Sequence, residues 1–258
     1  MTPSRLTWMP FVASLLSGGC LSSSLLDEEH PAHAGQHAHW AYEGHAGPHA
    51  WGELDGTYQA CAAGRAQSPI DLAPAHAAAA AVPAVAFHYA PLQATEVNNG
   101  HTIQDNLAAG GYVELGGARY DLAQFHFHSP SEHTLDGKHF PLEIHLVHKN
   151  AAGALLVLGI LVEQGADNPA LHALFSKLPH GADPVSVTSA PATLLPPDHH
   201  VVTYPGSLTT PPCTEGVTWR VFTTPVHADA EELHAFQARY AHNSRPTMPL
   251  NGRVVVHD

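Results

Sequence analysis

Two stretches of this chain alternate so strictly that they leave little freedom in how it folds. From Tyr120 to His128, and again from Pro141 to Lys149, apolar and polar residues take turns along the sequence. A period of two belongs to β-strands, whose successive side chains point to opposite faces. Asp136-Gly137 lies between the stretches and favours a tight turn, which predicts an antiparallel hairpin. Leu155 to Val162 is a continuous apolar run, expected as a buried central strand, and Val217 to Thr223 is a further strand. Glu231 to Ala241 places Leu233, Phe236 and Tyr240 on one helical face. Ala75 to Val85 is low in complexity and is expected as a surface loop. Together these predict one mostly β (α+β) domain, a large twisted and mainly antiparallel central sheet with short peripheral helices.

On the first strand His126 and His128 share a face, and Phe125 and Phe127 face the other way. That pair alone is weak evidence, because 23 histidines in 258 residues produce about two such spacings by chance. The next strand strengthens it. Glu143, His145 and Val147 share a face there, so the hairpin lets His145 complete a three-histidine metal site. Glu143 and Gln124 can accept hydrogen bonds from the outer ring nitrogens of the ligands, fixing tautomer and orientation. Three neutral nitrogen donors with an open fourth position suit catalytic zinc, since thiolates would quench its charge.

Charge excludes other classes. The chain has 10 Lys and Arg against 23 Asp and Glu, and no basic stripe, which argues against nucleic acid as a partner. Arg5 followed by the uncharged run Leu6 to Leu16 reads as an export signal, too short to span a bilayer. We assign residues 1–19 to this signal, 20–38 to a flexible histidine-containing linker and 39–258 to the folded domain. Ser17-Gly18-Gly19-Cys20 is similar to a lipoprotein cleavage box, which makes Cys20 a candidate lipid anchor to the membrane. Localisation is then periplasmic or at the cell envelope. If Cys20 carries lipid, Cys61 and Cys213 are the one pair left for a disulfide; two buried free thiols are the alternative.

Beyond the hairpin, ordered motifs extend over most of the chain. They are His39-Trp40-Ala41-Tyr42, Gln67-Ser68-Pro69-Ile70-Asp71, Asn98-Asn99-Gly100-His101, Gln124 to His128, Ser131-Glu132-His133-Thr134, Glu143 to His148, and Tyr204 to Pro212. In this order and spacing they resemble the alpha carbonic anhydrases. The resemblance implies a zinc enzyme interconverting carbon dioxide and bicarbonate through zinc-bound hydroxide, an effect for which this family is itself the reference case. It implies zinc ligands His126, His128 and His145, and a relay in which Glu132 accepts from the Thr209 hydroxyl. It further implies an apolar substrate pocket of Val147, Val157, Leu208 and Trp219 with Thr210 beside it. Tyr42, Asn99 and Gln104 would hold the solvent network, and His101 would be the proton shuttle. His133 and His148 fall at structural positions behind the metal. The resemblance also implies a Cys61–Cys213 bridge and cis bonds at Ser68-Pro69 and Pro211-Pro212. A homodimer is compatible with it. The competing readings are a non-catalytic zinc-binding or adhesive surface domain on the same fold, and a zinc scavenger using the histidines between His30 and His49.

Overall fold

In a computed structural model, residues 38–73, 77–108, 111–179, 181 and 183–258 are described. The signal, Cys20 and most of the linker lie outside them. The strands are β1 (Asp71–Leu72), β2 (Ala78–Ala79), β3 (Val85–His88), β4 (Leu92–Asn98), β5 (Ile103–Leu107), β6 (Tyr112–Leu115), β7 (Ala118–His128) and β8 (Thr134–Leu135). They continue with β9 (Leu142–Lys149), β10 (Leu155–Gln164), β11 (Val185–Ser189), β12 (Val201–Ser207), β13 (Glu215–Phe222), β14 (Val226–Ala228) and β15 (Val256–His257). Among the described residues four short α-helices accompany them: α1 (Trp51–Leu54), α2 (Ala60–Ala63), α3 (Pro169–Phe175) and α4 (Ala230–Gln237). The main sheet runs β11-β4-β5-β7-β9-β10-β13-β12-β15-β2, with β3, β6 and β14 pairing off this path. It is mixed: most pairings are antiparallel, while β10–β13, β10–β14 and β15–β2 are parallel.

β10 is the unbroken apolar run, and its composition follows from its neighbours. It lies between β9 and β13 and is covered on both faces, so alternation has no purpose there. One face carries Leu156, Leu158 and Ile160 into a core closed by Leu171 and Phe175 of α3 and by Leu233 and Phe236 of α4. The other turns Val157 and Leu161 toward Trp219, Tyr204 and Leu72. Helix α4 opens with a capping box in which Asp229 accepts from the Glu232 N–H and Glu232 accepts from the Asp229 N–H, both at 2.8 Å. It ends at Gln237, earlier than expected, and Tyr240 packs on the core from beyond it.

Two expectations need correction. β7 and β9 pair antiparallel, but Asp136-Gly137 does not join them. Those residues, at φ 50° and 76°, close a small turn of their own bridging Leu135 to Lys138 within the 129–141 connection. That turn is anchored by β8 pairing parallel with β1. The Ala75–Val85 segment is not all loop either, since Ala78–Ala79 pairs with β15 and Val85 begins β3.

Cys61 and Cys213 are joined in a disulfide across 152 residues, consistent with a compartment outside the reducing cytoplasm. The bridge ties α2 to the turn following Thr209-Thr210-Pro211-Pro212. Cis bonds occur at Ser68-Pro69 and Pro211-Pro212, and also at Ser129-Pro130. Closing so long a loop stabilises by about 4–5 kcal/mol on a chain-entropy estimate. Reduction is therefore expected to lower Tm by roughly 10 °C, read by calorimetry with and without reductant. An unchanged Tm would contradict this.

Candidate active site

Register places the site. Gln104 on β5 lies opposite His126 on β7, which lies opposite His145 on β9, which lies opposite Gly159 on β10. The adjacent row runs Asn106, Gln124, Val147 and Val157 across the same four strands and on to Trp219 of β13. His128 stands opposite Glu143. A bulge between Leu122 and Gln124 resets the pleat ahead of this segment. Gly159 has a specific reason to lack a side chain: a Cβ there would sit 3.0 Å from Glu143 Oε1 and 3.1 Å from Val221.

The three imidazoles cluster with ring centroids 4.6–5.3 Å apart. Each offers a nitrogen within 4.8 Å of the others. The outer nitrogen of each is held. His126 Nδ1 pairs with Gln124 Oε1 at 2.8 Å, His128 Nδ1 with the Asn243 carbonyl at 2.7 Å, and His145 Nε2 with Glu143 Oε1 at 2.8 Å. Oxygen acceptors there place a proton on each outer nitrogen and leave a lone pair on the inner one. Burial, then the neighbouring imidazoles, push His126 well below its ordinary pKa. Burial lowers His128 too, against the opposing pull of Glu132. Both are thus favoured in the neutral form that binds metal. Burial by itself would raise Glu143, but attraction from His133 and His145, with hydrogen bonds to both, holds it well below the carboxylate range.

Two buried atoms lack hydrogen-bond partners here, His128 Nε2 and Glu132 Oε2, 3.6 Å apart. Glu132 Oε1 accepts from the Arg245 N–H at 2.8 Å. Among the described residues no hydrogen bond joins Glu132 to Thr209, although Thr209 lines the same cleft. A cation among the inner nitrogens would satisfy His128 Nε2, and three neutral nitrogens are a donor set that zinc takes, so the residues fit that ion. A second close group, His133, Glu143 and His145, is already bonded within itself. His133 also bonds Tyr204 Oη at 2.6 Å, so this is a hydrogen-bonded support behind the site. His148 is structural as well: it pairs with Tyr89 Oη at 2.6 Å, and burial pushes it down to about 4.

The cleft in front of the imidazoles encloses about 220 Å³. Val147, Val157, Leu208 and Trp219 make its apolar side, and Tyr42, Asn99, Gln104 and Thr210 its polar side. Asn99 Nδ2 donates to Gln104 Oε1 at 3.4 Å. His101 is set on the rim by its own loop. Asn99 Oδ1 accepts from the N–H groups of His101 and Thr102, both at 2.9 Å, and Gly100 takes φ 87°. Its ring stacks on Trp40 with centroids 3.6 Å apart, and burial, then His39, lowers its pKa. A larger cavity of about 430 Å³, between α3 and β11, has none of these groups.

Sequence reasoning missed Asn243. Its carbonyl holds His128, and its side chain bonds the Ser129 N–H, the Phe127 carbonyl and the His101 carbonyl. A backbone acceptor 115 residues distant leaves no mark in strand periodicity.

A mixed sheet carrying three converging imidazoles beside a half-apolar cleft is the arrangement of a candidate metal centre open to a small substrate. Residues 46–258 match the family described as eukaryotic-type carbonic anhydrase. A carbonic anhydrase of Pectobacterium atrosepticum is 39% identical over 251 residues, covering 96% of this chain and 98% of the relative. One from Klebsiella pneumoniae is 42% identical, covering 85% and 91%. The alpha-carbonic anhydrase from Thermovibrio ammonificans, solved with the inhibitor sulfanilamide, superposes with a TM-score of 0.83 at 43% identity, covering 85% of this chain and 99% of that one. The chain belongs to the alpha carbonic anhydrase family, and with it to the carbonic anhydrase enzymes.

Proposed function

We propose that this protein hydrates carbon dioxide reversibly to bicarbonate and a proton, with zinc held by His126, His128 and His145. The convergence of three imidazoles, each fixed by an oxygen acceptor, beside an apolar pocket carries this reading. Zinc bound there by three neutral ligands supplies a water-derived nucleophile near neutral pH. Gln124, Glu143 and the Asn243 carbonyl keep the ligand rings aimed. Glu132 Oε2 can only accept, so a Thr209 hydroxyl turned toward it donates there and presents its own oxygen as an acceptor. That arrangement orients the nucleophile and disfavours anions that have no proton to give. Val147, Val157, Leu208 and Trp219 receive carbon dioxide, which offers little to hydrogen-bond.

His101 takes the released proton at a ring nitrogen and delivers it to buffer, through water held by Tyr42, Asn99, Gln104 and Thr210. Burial pushes the Tyr42 hydroxyl well up, so it stays a donor. His101→Ala is expected to depress kcat while leaving kcat/KM almost unchanged, because carbon dioxide interconversion precedes proton export. Imidazole buffer should restore kcat in stopped-flow assays. A parallel fall in kcat/KM, or no rescue, would remove His101 from this role. The amino-terminal sequence supports export, with residues 1–19 as the leader, and periplasmic or envelope placement through Cys20.

A further inference from the structure

Arg220 lies on β13 between Trp219 and Val221, so it faces away from the catalytic cleft, in the row of Leu158 on β10. It is only 4% exposed. A guanidinium carries five N–H donors, yet among the described residues its one hydrogen bond is from Nη1 to the Pro83 carbonyl at 2.6 Å. Its Nε is buried with no acceptor among the described residues. Asp258 attracts it, but no ion pair joins them among the described residues; Asp258 Oδ1 accepts from the Val201 N–H at 3.0 Å and lies 3.5 Å from His200 Nδ1. A buried charge whose opposite charge stays out of hydrogen-bond contact is costly. The side chain lines a cavity of about 250 Å³ with walls of Val85, Phe87, Leu158 and Phe222. His199 lines it too, its ring 4.7 Å from that of Phe87 and 5.9 Å from that of Phe222.

We propose that this cavity is a second ligand site, distinct from the catalytic cleft, which binds a small monocarboxylate with a compact apolar body. The guanidinium's free donors match a carboxylate's two oxygens, and the aromatic and aliphatic walls match the body. Asp258 lines the same cavity and repels any anion, a dianion about twice as strongly, which favours a ligand of single charge held by the guanidinium. The size of the cavity limits the body to about one ring.

The test uses the zinc-loaded protein saturated with a sulfonamide, so that no carboxylate reaches the metal. Benzoate, titrated by calorimetry and by nuclear magnetic resonance, is expected to bind one to one. Benzamide, of the same shape without the charge, should bind roughly 10- to 100-fold more weakly, the scale for a hydrogen bond to a charged group. Arg220→Met should weaken benzoate by a similar factor while leaving hydration of carbon dioxide by the sulfonamide-free enzyme unchanged. The benzoate and benzamide comparison needs no variant and stands if Arg220→Met folds poorly. Absence of saturable benzoate binding, or equal binding of benzamide, would overturn the proposal and leave Arg220 as a brace for Pro83.

Discussion

His145→Ala is expected to lose tightly held zinc and nearly all carbon dioxide hydration. His145 stands directly opposite His126 across β7 and β9, and its outer nitrogen is already fixed by Glu143. The substitution removes one of three converging nitrogens and also strips Glu143 of one partner deep in the fold. The loss should exceed the roughly 10- to 100-fold expected of Gln124→Ala, which removes only the acceptor behind His126. Metal content by mass spectrometry and rates by stopped flow test both variants. Stoichiometric zinc with near-normal turnover in His145→Ala would refute the ligand assignment. Equal losses in the two variants would mean that orientation, and not ligand number, limits the site.

The cluster of three histidines was legible because strands have period two, and because a carboxylate and an amide stood where partners for their outer nitrogens were needed. Periodicity put His126 and His128 on one face, and a hairpin brought His145 beside them. The hairpin was right and its turn was wrong: Asp136-Gly137 is a strong local signal, but it closes a smaller loop that pairs with β1. Residues arriving from distant segments gave no periodic signal at all. Glu132, Thr209 and His101 were singled out only through ordered motifs resembling a family, and the fold brings Thr209 and His101 to the same cleft. The Asn243 carbonyl has no side chain to read. Arg220 sits in a β-branched run, and nothing in its neighbours' sequence tells that its guanidinium is enclosed.

A second large effect is expected from groups outside the site. Glu96 on β4 and Asp105 on β5 are directly opposite each other, on the face turned away from the cleft. Both are fully buried, and among the described residues none of their four carboxyl oxygens has a hydrogen-bond partner. Their strand neighbours in the same row, Val185 and Phe125, are apolar. Burial raises Glu96 to about 7, and burial followed by repulsion from Glu96 raises Asp105 to about 8. The native state therefore keeps these protons at a pH where the unfolded chain has released them, so stability falls as pH rises from about 4 to about 8. At about 1.4 kcal/mol per pKa unit, the fall has an upper limit on the order of 5–10 kcal/mol. The buried histidines act in the opposite sense: His148, pushed down to about 4, weakens the fold as pH drops below about 6.5. Comparing variants separates the two. The double variant E96Q/D105N keeps size and removes both ionisations, so it should match the parent near pH 5 and exceed it in stability at pH 8. Urea unfolding at both pH values reads the difference directly. If parent and variant lose stability in parallel between pH 5 and 8, the two carboxyls do not set the slope, and they must gain compensating partners when they ionise.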